Sequence, residues 1–315
     1  MILTQEQEMI RDAMRDFAQE RLAPFAGEWD RNHTFPAEAL KELGALGAMG
    51  VTVPEEWDGA GMDYMSLVLM LEEIAAGDGA TSTIVSVQNS LACGITMKYG
   101  SDEQKEKYLK PLARGDMLGC FCLTEPHTGS DASAITTRAT RDGDHFVLNG
   151  VKQFITTGKH AQVAIVFAVT DKAAGKKGIS CFLVPTETPG YIIARIEEKM
   201  GQKASDTAQI IFENCRIPAS CLLGKEGDGY RIALSNLEAG RIGIAAQSVG
   251  MARSALDAAV KYAKERVAFG VPLTGHQAVS FRIADMATQV DAARLMVWRA
   301  ATLKDAGKPC LKEAS

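Results

Sequence analysis

The spacing of hydrophobic residues changes twice along this chain of 315 residues, and that order limits the folds available to it. In residues 1 to about 117, apolar residues recur at the spacing of an α-helix, as Ile10 and Met14 do. From about 118 to 226, short runs of β-branched residues alternate with glycine turns, which predicts strands. Helical spacing returns after Gly229. This order excludes a doubly wound α/β fold, in which strands and helices alternate throughout.

We therefore predict an α+β protein with three domains. Residues 1–117 would form an N-terminal helical domain, and residues 118–226 a middle antiparallel β-barrel or sandwich. Residues 227–315 would form a C-terminal helical bundle. That bundle is expected to be incomplete, as in a truncated form of a longer protein, because Ser315 falls inside what reads as the next helix.

Local signals predict where several helices begin and end. Pro24 and Pro111 are expected to end the helices before them, because proline lacks a backbone N–H. Three pairs fit the capping box, in which a hydroxyl and a side chain three residues later cap a helix start: Thr4 with Gln7, Ser101 with Gln104, and Thr274 with Gln277.

Charge and composition narrow the classes of function. The net charge of −5 argues against a nucleic-acid-binding or membrane-surface protein, which needs a basic face. No apolar run reaches the length of a membrane span, and no signal peptide is visible. The seven cysteines are scattered, and Cys120 and Cys122 are too close for a zinc or redox motif. We expect free thiols, no metal site and a cytoplasmic protein, with the mitochondrial matrix as the alternative compartment.

The segment Cys122–Asp131 carries the strongest sign of a ligand. It brings hydroxyls, a glycine and two carboxylates together where the helical region gives way to strands. Its hydroxyls and backbone N–H groups could hold a polar, phosphorylated ligand, although the same residue types also form ordinary turns. The chain has neither a Rossmann glycine fingerprint nor a P-loop, so a nucleotide would be held in another way.

Companion motifs follow this loop at wide spacing. Taken with it, they resemble the acyl-CoA dehydrogenase family, and the short- and branched-chain branches most. The resemblance runs along the whole chain. Its motifs are Glu55–Gly61, Thr124–Asp131, Lys152–Gly158, Gly240–Gln247, Glu265–Gly270 and Gly275–Gln277.

The resemblance implies FAD as the cofactor, held between the middle domain and the long helices. Thr124 would hydrogen-bond the flavin ring, the Thr156 hydroxyl would lie near flavin N5, and Phe154 stands where relatives often have Trp. The implied contacts within one subunit are Phe121, Cys122, Leu123, Thr124, Gly129, Ser130, Phe154, Ile155 and Thr156. Those that would reach the FAD of a neighbouring subunit are Arg266, Val267, Ala268, Phe269, His276 and Gln277.

The resemblance also implies the reaction. A short or branched acyl-CoA, contacted by Ser130 and by Glu238, Ala239, Gly240 and Arg241, would lose a proton from Cα and a hydride from Cβ. The product is the trans-2-enoyl-CoA, as in fatty acid β-oxidation and branched-chain amino acid degradation. Electron transfer flavoprotein is the implied electron acceptor, and a homotetramer is the implied assembly.

The catalytic base is the one part of the family pattern that the sequence does not supply. Its usual Glu would lie beyond Ser315. One branch places it instead just before the Arg of the long helix, where this chain has Gly240. Glu238 is two residues away, and two helical steps rotate about 200°. No catalytic residue is therefore named.

Other interpretations stay open at this point. A flavin monooxygenase or an acyl-CoA oxidase could share the fold, and the missing base would suit a non-catalytic flavin- or acyl-CoA-binding protein. Taken singly, Arg266 reads as a solvated charge, Phe269 as a core residue and His276 as a surface histidine.

Overall fold

The structure, a computed structural model, describes residues 2–315 and confirms the order of helices, strands and helices. Contacts within the chain divide it into two compact units, each built from separate segments, so the predicted boundaries near 117 and 226 stay predictions. The helical unit consists of the chain up to Gly27, Asp63–Thr83 and Arg241–Ser315. The mixed unit consists of Glu28–Met62 and Ile84–Gly240.

Helices account for most of both ends of the chain. Those before the strands are α1 (Gln5–Phe17), α2 (Ala23–Asn32), α3 (Ala37–Ala45), α4 (Tyr64–Gly77), α5 (Gly79–Val87), α6 (Gly94–Tyr99), α7 (Asp102–Gln104) and α8 (Lys110–Arg114). Those after the strands are α9 (Gly229–Glu265), α10 (Gln277–Asp305) and α11 (Leu311–Ala314). Short 3-10 turns are Glu55–Trp57, Ala132–Ala134, Lys172–Gly178, Ala219–Cys221 and Leu273–Gly275.

The expectation that Pro24 and Pro111 end their helices is wrong. Each proline is the second residue of a helix, α2 or α8, that continues directly from a π-helical segment. The residue before each proline bonds five positions back: Ala23 N–H to the Ala18 carbonyl and Lys110 N–H to the Lys105 carbonyl. This wider turn relieves the clash between a proline ring and the carbonyl four residues earlier. The π-helical segments of the chain are Ala18–Leu22, Gln88–Cys93 and Lys105–Leu109.

Two of the three predicted capping boxes are confirmed, those of Thr4 and Ser101. The third is wrong, because Thr274 lies inside a 3-10 turn and His276 becomes the residue before α10. The His276 ring pairs with the Ala268 carbonyl oxygen instead, at 3.1 Å from Nε2.

The middle region forms one open sheet, so the predicted closed barrel is wrong. Its order is β6-β7-β3-β2-β4-β5-β8, and β1 pairs with β4. Closure would require the edge strands β6 and β8 to pair, but among the described residues β8 pairs only with β5 and β6 only with β7. The sheet is also not wholly antiparallel, since β1 runs parallel to β4. The strands are β1 (Gly119–Cys122), β2 (Arg138–Asp142), β3 (His145–Thr156), β4 (Val163–Val169), β5 (Ile179–Pro185), β6 (Tyr191–Ile196), β7 (Thr207–Pro218) and β8 (Leu222–Leu223).

Both faces of β4 and β5 are buried, which explains their unbroken apolar sequences. One face, with Ile165 and Phe167, shares a core with helical residues of the mixed unit such as Leu109. The other face, with Val166, shares a core with Phe146 of β3 and with residues of β7. The two halves of the sheet therefore pack on each other as in a sandwich, although the sheet does not close.

All seven cysteines are buried and none forms a disulfide, which confirms the expected thiols. Within residues 2–315, no helix combines the length and apolar composition of a membrane span. The same residues hold no group of three or more His, Cys, Asp or Glu side chains placed to bind a metal ion.

A buried ion pair lies under the loop that follows β1. Lys152 Nζ is 2.8 Å from Glu125 Oε1 and 3.0 Å from the Leu123 carbonyl oxygen. The side chains of Lys152 and Glu125 are 0% and 2% exposed. The Glu125 carboxylate also accepts hydrogen bonds from Thr136 N and Oγ1 and from Thr137 N, at 2.7 to 2.9 Å. These bonds join the loop to the start of β2 and to β3.

This pair should make the protein sensitive to acid. Burial raises the pKa of Glu125, but Lys152 and the hydrogen bonds outweigh burial and lower it from 4.5 to about 2. A lowered pKa stabilises the fold above pH 4.5, by about 3 kcal/mol, and that contribution is lost as the pH falls towards 2. We expect Glu125→Gln to be less stable than wild type at pH 7, with a gap that narrows below pH 4.5. Urea unfolding from pH 2 to 7 measures it, and a gap independent of pH would contradict it.

A second prediction concerns close packing within the helical unit. A Cβ at Gly250 of α9 would lie 2.2 Å from the Glu72 carbonyl oxygen of α4, which is too close. Gly250→Ala should therefore destabilise the protein by about 1–3 kcal/mol. Gly240→Ala is the matched control in the same helix, because its Cβ would lie 3.8 Å from Ser90 Oγ. It should be neutral or stabilising by up to about 1 kcal/mol. Equal unfolding free energies for the two variants would show that Gly250 is not needed for packing.

Candidate active site

A β-bulge presents Phe154 outward from β3. The pairing of β3 with β7 shifts register between Lys152 and Ile155, so two residues of β3 stand opposite one of β7. Phe154 has a φ of +59°, in the left-handed region that an aromatic residue rarely adopts. Its side chain is 62% exposed, while Ile155 beside it is buried. An exposed aromatic ring on a strained backbone points to a ligand rather than to the core.

The loop after β1 is bonded to this bulge. Gln153 N–H donates to the Thr124 carbonyl oxygen at 2.9 Å, outside the ladder with β7. Lys152 bonds the neighbouring Leu123 carbonyl oxygen. The structure thus joins two of the predicted cofactor residues of the loop, Leu123 and Thr124, to the part of β3 that immediately precedes Phe154, Ile155 and Thr156.

The loop is held by its own backbone as well. Glu125 and Thr128 exchange two backbone hydrogen bonds, of 2.9 and 3.1 Å, and Thr128 Oγ1 donates to the Asp131 carbonyl oxygen at 2.5 Å. A Cβ at Gly129 would lie 3.7 Å from Thr124 Cγ2, which places Gly129 beside Thr124. A tight loop of this kind presents its polar groups in a fixed arrangement.

Three hydroxyls of this site are available to a ligand. Within the described residues, the side chains of Thr124, Ser130 and Thr156 have no hydrogen-bond partner in the protein. Thr124 and Thr156 are half-buried, and Ser130 is exposed. Unpaired hydroxyls and an exposed aromatic ring on connected segments are the groups that suit the edge and the face of a flat heterocycle with several acceptor atoms, such as a flavin.

The second set of predicted cofactor residues forms a hairpin in the helical unit. Strands β9 (Val267–Ala268) and β10 (Val271–Pro272) pair across a turn at Phe269 and Gly270. Both turn residues have positive φ, +53° and +79°, as a type I′ turn requires. Phe269 is 97% exposed, so its interpretation as a core residue is wrong. Arg266 and Gln277 are exposed on the same segment, and His276 is half-buried.

The predicted substrate contacts lie in α9. Ala239 is buried, Glu238 and Gly240 are half-buried, and Arg241 is exposed. Consecutive helical residues point about 100° apart, so the four cannot share one face. The space beside Gly240 is bounded by Ser90 Oγ and Leu91 Cδ2, at 3.8 and 3.9 Å from where a Cβ would stand.

Sequence reasoning did not assign Glu125, Lys152 or Gln153 to the site, although their motifs were recognised. A signal was present for Lys152. Residues two apart in a strand point to the same face, so Lys152 points inward like Phe146 and Leu148. A lysine that points inward requires a charged or hydrogen-bonding partner.

Family models match nearly the whole chain. The N-terminal domain of acyl-CoA dehydrogenase matches residues 4–116, its middle domain 120–215 and its C-terminal domain 227–315. Among curated relatives, human mitochondrial short-chain specific acyl-CoA dehydrogenase is 49% identical over 313 residues, which cover 99% of this chain and 76% of that protein.

Solved structures agree. Butyryl-CoA dehydrogenase from Megasphaera elsdenii has a TM-score of 0.97 at 42% identity, covering 100% of this chain and 83% of its own. A chain from the structure described as electron transferring flavoprotein of Acidaminococcus fermentans has a TM-score of 0.98 at 46% identity, covering 99% and 82%. Glutaryl-CoA dehydrogenase from Mycobacterium smegmatis in complex with FADH2 has a TM-score of 0.93 at 37% identity, covering 99% and 79%. With its sequence and its fold matched from one end to the other, this chain belongs to the acyl-CoA dehydrogenase family.

Proposed function

We propose that this protein binds FAD and removes a proton and a hydride from a short-chain acyl-CoA, giving the trans-2-enoyl-CoA. The observation that carries the proposal is the hydrogen bond from Gln153 N–H to the Thr124 carbonyl oxygen, which joins the loop that carries the Thr124 hydroxyl to the residue preceding the exposed Phe154. A relative named as short-chain specific, a butyryl-CoA dehydrogenase and a structure holding FADH2 support the substrate and the cofactor.

The residues of the site take different parts in binding the cofactor. FAD supplies the hydride acceptor. The hydroxyls of Thr124 and Thr156 would donate hydrogen bonds to the flavin ring, and Phe154 would pack against it. Leu123 and Ile155 are buried and give these neighbours a fixed backbone. Exclusion of water by the apolar members strengthens each polar contact to the ring.

Substrate contact falls to Ser130 and to residues 238–241 of α9. The α-proton of a thioester is weakly acidic, so its removal requires a polarised carbonyl and a positioned base. Glu238 is the carboxylate in this stretch, but it is rotated about 200° from residue 240, where one branch of the family carries its base. We assign Glu238 to substrate binding and leave the base unassigned.

The hairpin supports a proposal about assembly, and one structural match supports a proposal about the electron acceptor. Phe269 is nearly fully exposed at the hairpin tip, and Phe281 of α10 is 63% exposed, which favours burial against another subunit. We propose a homotetramer in which Arg266 to Phe269, with His276 and Gln277, reach the FAD of a neighbour. Its electron acceptor is an electron transfer flavoprotein, consistent with one of the structural matches. A branched acyl group and a cytoplasmic location stay predictions.

Reduction of the flavin by substrate tests this function. Under anaerobic conditions, butyryl-CoA should bleach the visible absorption of the bound flavin, because oxidation of the substrate reduces the flavin. A branched thioester, 2-methylbutyryl-CoA, measures the acyl preference in the same assay. Stopped-flow absorption gives the rate of bleaching.

Two outcomes would favour other functions. Rapid oxygen consumption in air with butyryl-CoA would indicate an oxidase. Binding of butyryl-CoA without any bleaching would indicate a protein that binds but does not oxidise. A colourless protein that takes up no FAD on reconstitution would refute the proposal as a whole.

The role of Glu238 can be tested separately. Glu238→Gln should change the affinity for butyryl-CoA more than the rate of flavin reduction, because its side chain is turned away from the position of a base at 240. Asp257→Asn, at an exposed position farther along α9, is the matched control and should change neither. If Glu238→Gln instead abolishes reduction while binding is intact, Glu238 is the base; loss of one typically costs about 10²–10⁴ in rate.

A further inference from the structure

We propose that the buried Glu125–Lys152 pair is a positioning device for the flavin, holding the Thr124 loop and the Phe154 bulge in one arrangement. Neither residue is assigned a contact with FAD. The inference rests on the proposed function, because it concerns how the FAD site is built.

The loop is attached at three consecutive residues. Lys152 Nζ bonds the Leu123 carbonyl oxygen and the Glu125 carboxylate, on either side of Thr124. The Thr124 carbonyl oxygen accepts from Gln153 N–H. Residues 152 and 153 therefore hold each of these three loop residues, and the position of the Thr124 hydroxyl follows from theirs.

The same two residues lead into the bulge. The register of β3 shifts directly after Lys152, and Phe154 follows Gln153 with its left-handed φ. A displacement of Lys152 would thus move both Thr124 and Phe154. The opposite end of the pair is fixed as well, because Glu125 is bonded to Thr136 and Thr137 at the start of β2.

Stability alone does not explain two buried charges here. A buried ion pair is often no more stabilising than apolar side chains of similar size, since both charges must leave water. A lysine has three donors, however, and an apolar residue could not bond the Leu123 carbonyl and Glu125 at once. The chemistry of the pair suits the holding of a loop that has no strand partner at these residues.

The test compares FAD affinity in Lys152→Met, Glu125→Gln and the double variant with wild type. FAD is titrated into each apoprotein, and quenching of flavin fluorescence gives the dissociation constant. We expect each single variant to raise it by about tenfold or more, the factor that corresponds to roughly one lost hydrogen bond. The absorption band of the bound flavin should also shift, as the contacts of the ring change.

The matched control is another buried carboxylate, Glu73, whose side chain is 3% exposed and pairs with Arg15 and Arg253. Glu73 bonds no residue of the loop or of β3. Glu73→Gln should therefore lower the melting temperature, as the single variants do, but leave the FAD dissociation constant within about twofold of wild type.

The double variant decides between positioning and stability. It leaves no unpaired buried charge, so its melting temperature should recover towards wild type. If the pair positions the loop, the FAD affinity of the double variant should stay below that of wild type, because a methionine at position 152 cannot donate a hydrogen bond to the Leu123 carbonyl oxygen. Recovery of affinity together with stability would overturn the inference, as would unchanged affinity in the single variants.

Two further results keep the outcome clear. If wild type takes up no FAD, the proposed function fails before the pair is tested. If the charge variants do not fold, Thr136→Val removes only the 2.9 Å bond from Oγ1 to Glu125 and keeps both charges. A several-fold weaker FAD affinity in this variant would support positioning, and unchanged affinity would refute it.

Discussion

The bond between the Lys152 ammonium group and the loop after β1 is the interaction on which the rest of the site depends. The loop leaves β1 without a strand partner, so its carbonyl groups need donors from elsewhere. Lys152 and Gln153 supply them from β3, and Glu125 extends the link to β2. Three segments that are distant in sequence are thereby fixed relative to one another within the mixed unit, before any ligand binds.

The π-helical segments are a second constraint, and they explain where reasoning from proline was wrong. Pro24 and Pro111 both follow a widened turn, so each lies inside a continuous helical stretch. The remaining segment, Gln88–Cys93, contains the buried Asn89. Its Oδ1 accepts a hydrogen bond from Val51 N–H, and its Nδ2 donates one to the Ala48 carbonyl oxygen. In two of these segments the wider turn accommodates a proline. In the other it lies where the Asn89 amide bonds a neighbouring loop.

Features set by neighbours in sequence could be predicted. Gly143 lies in the turn between β2 and β3, with a φ of +62°, as the alternation of strand sequences with glycine turns predicts. Features set by distant partners could not. Nothing local to β1 indicates that it pairs in parallel with β4, and the bulge at Phe154 depends on its register with β7. The resemblance to a family supplied the candidate residues, but the bonds that hold them together emerged only from the fold.

Because every cysteine is buried, the reactivity of the native thiols can report local unfolding of the chain. An aqueous alkylating reagent can reach a buried thiol only when the surrounding structure separates, so the labelling rate at each cysteine measures the free energy of that opening. Cys93 lies in a π-helical segment, Cys181 in strand β5 and Cys310 directly before α11. Mass spectrometry of the labelled peptides would therefore map the stability of separate regions, without introducing a single foreign residue.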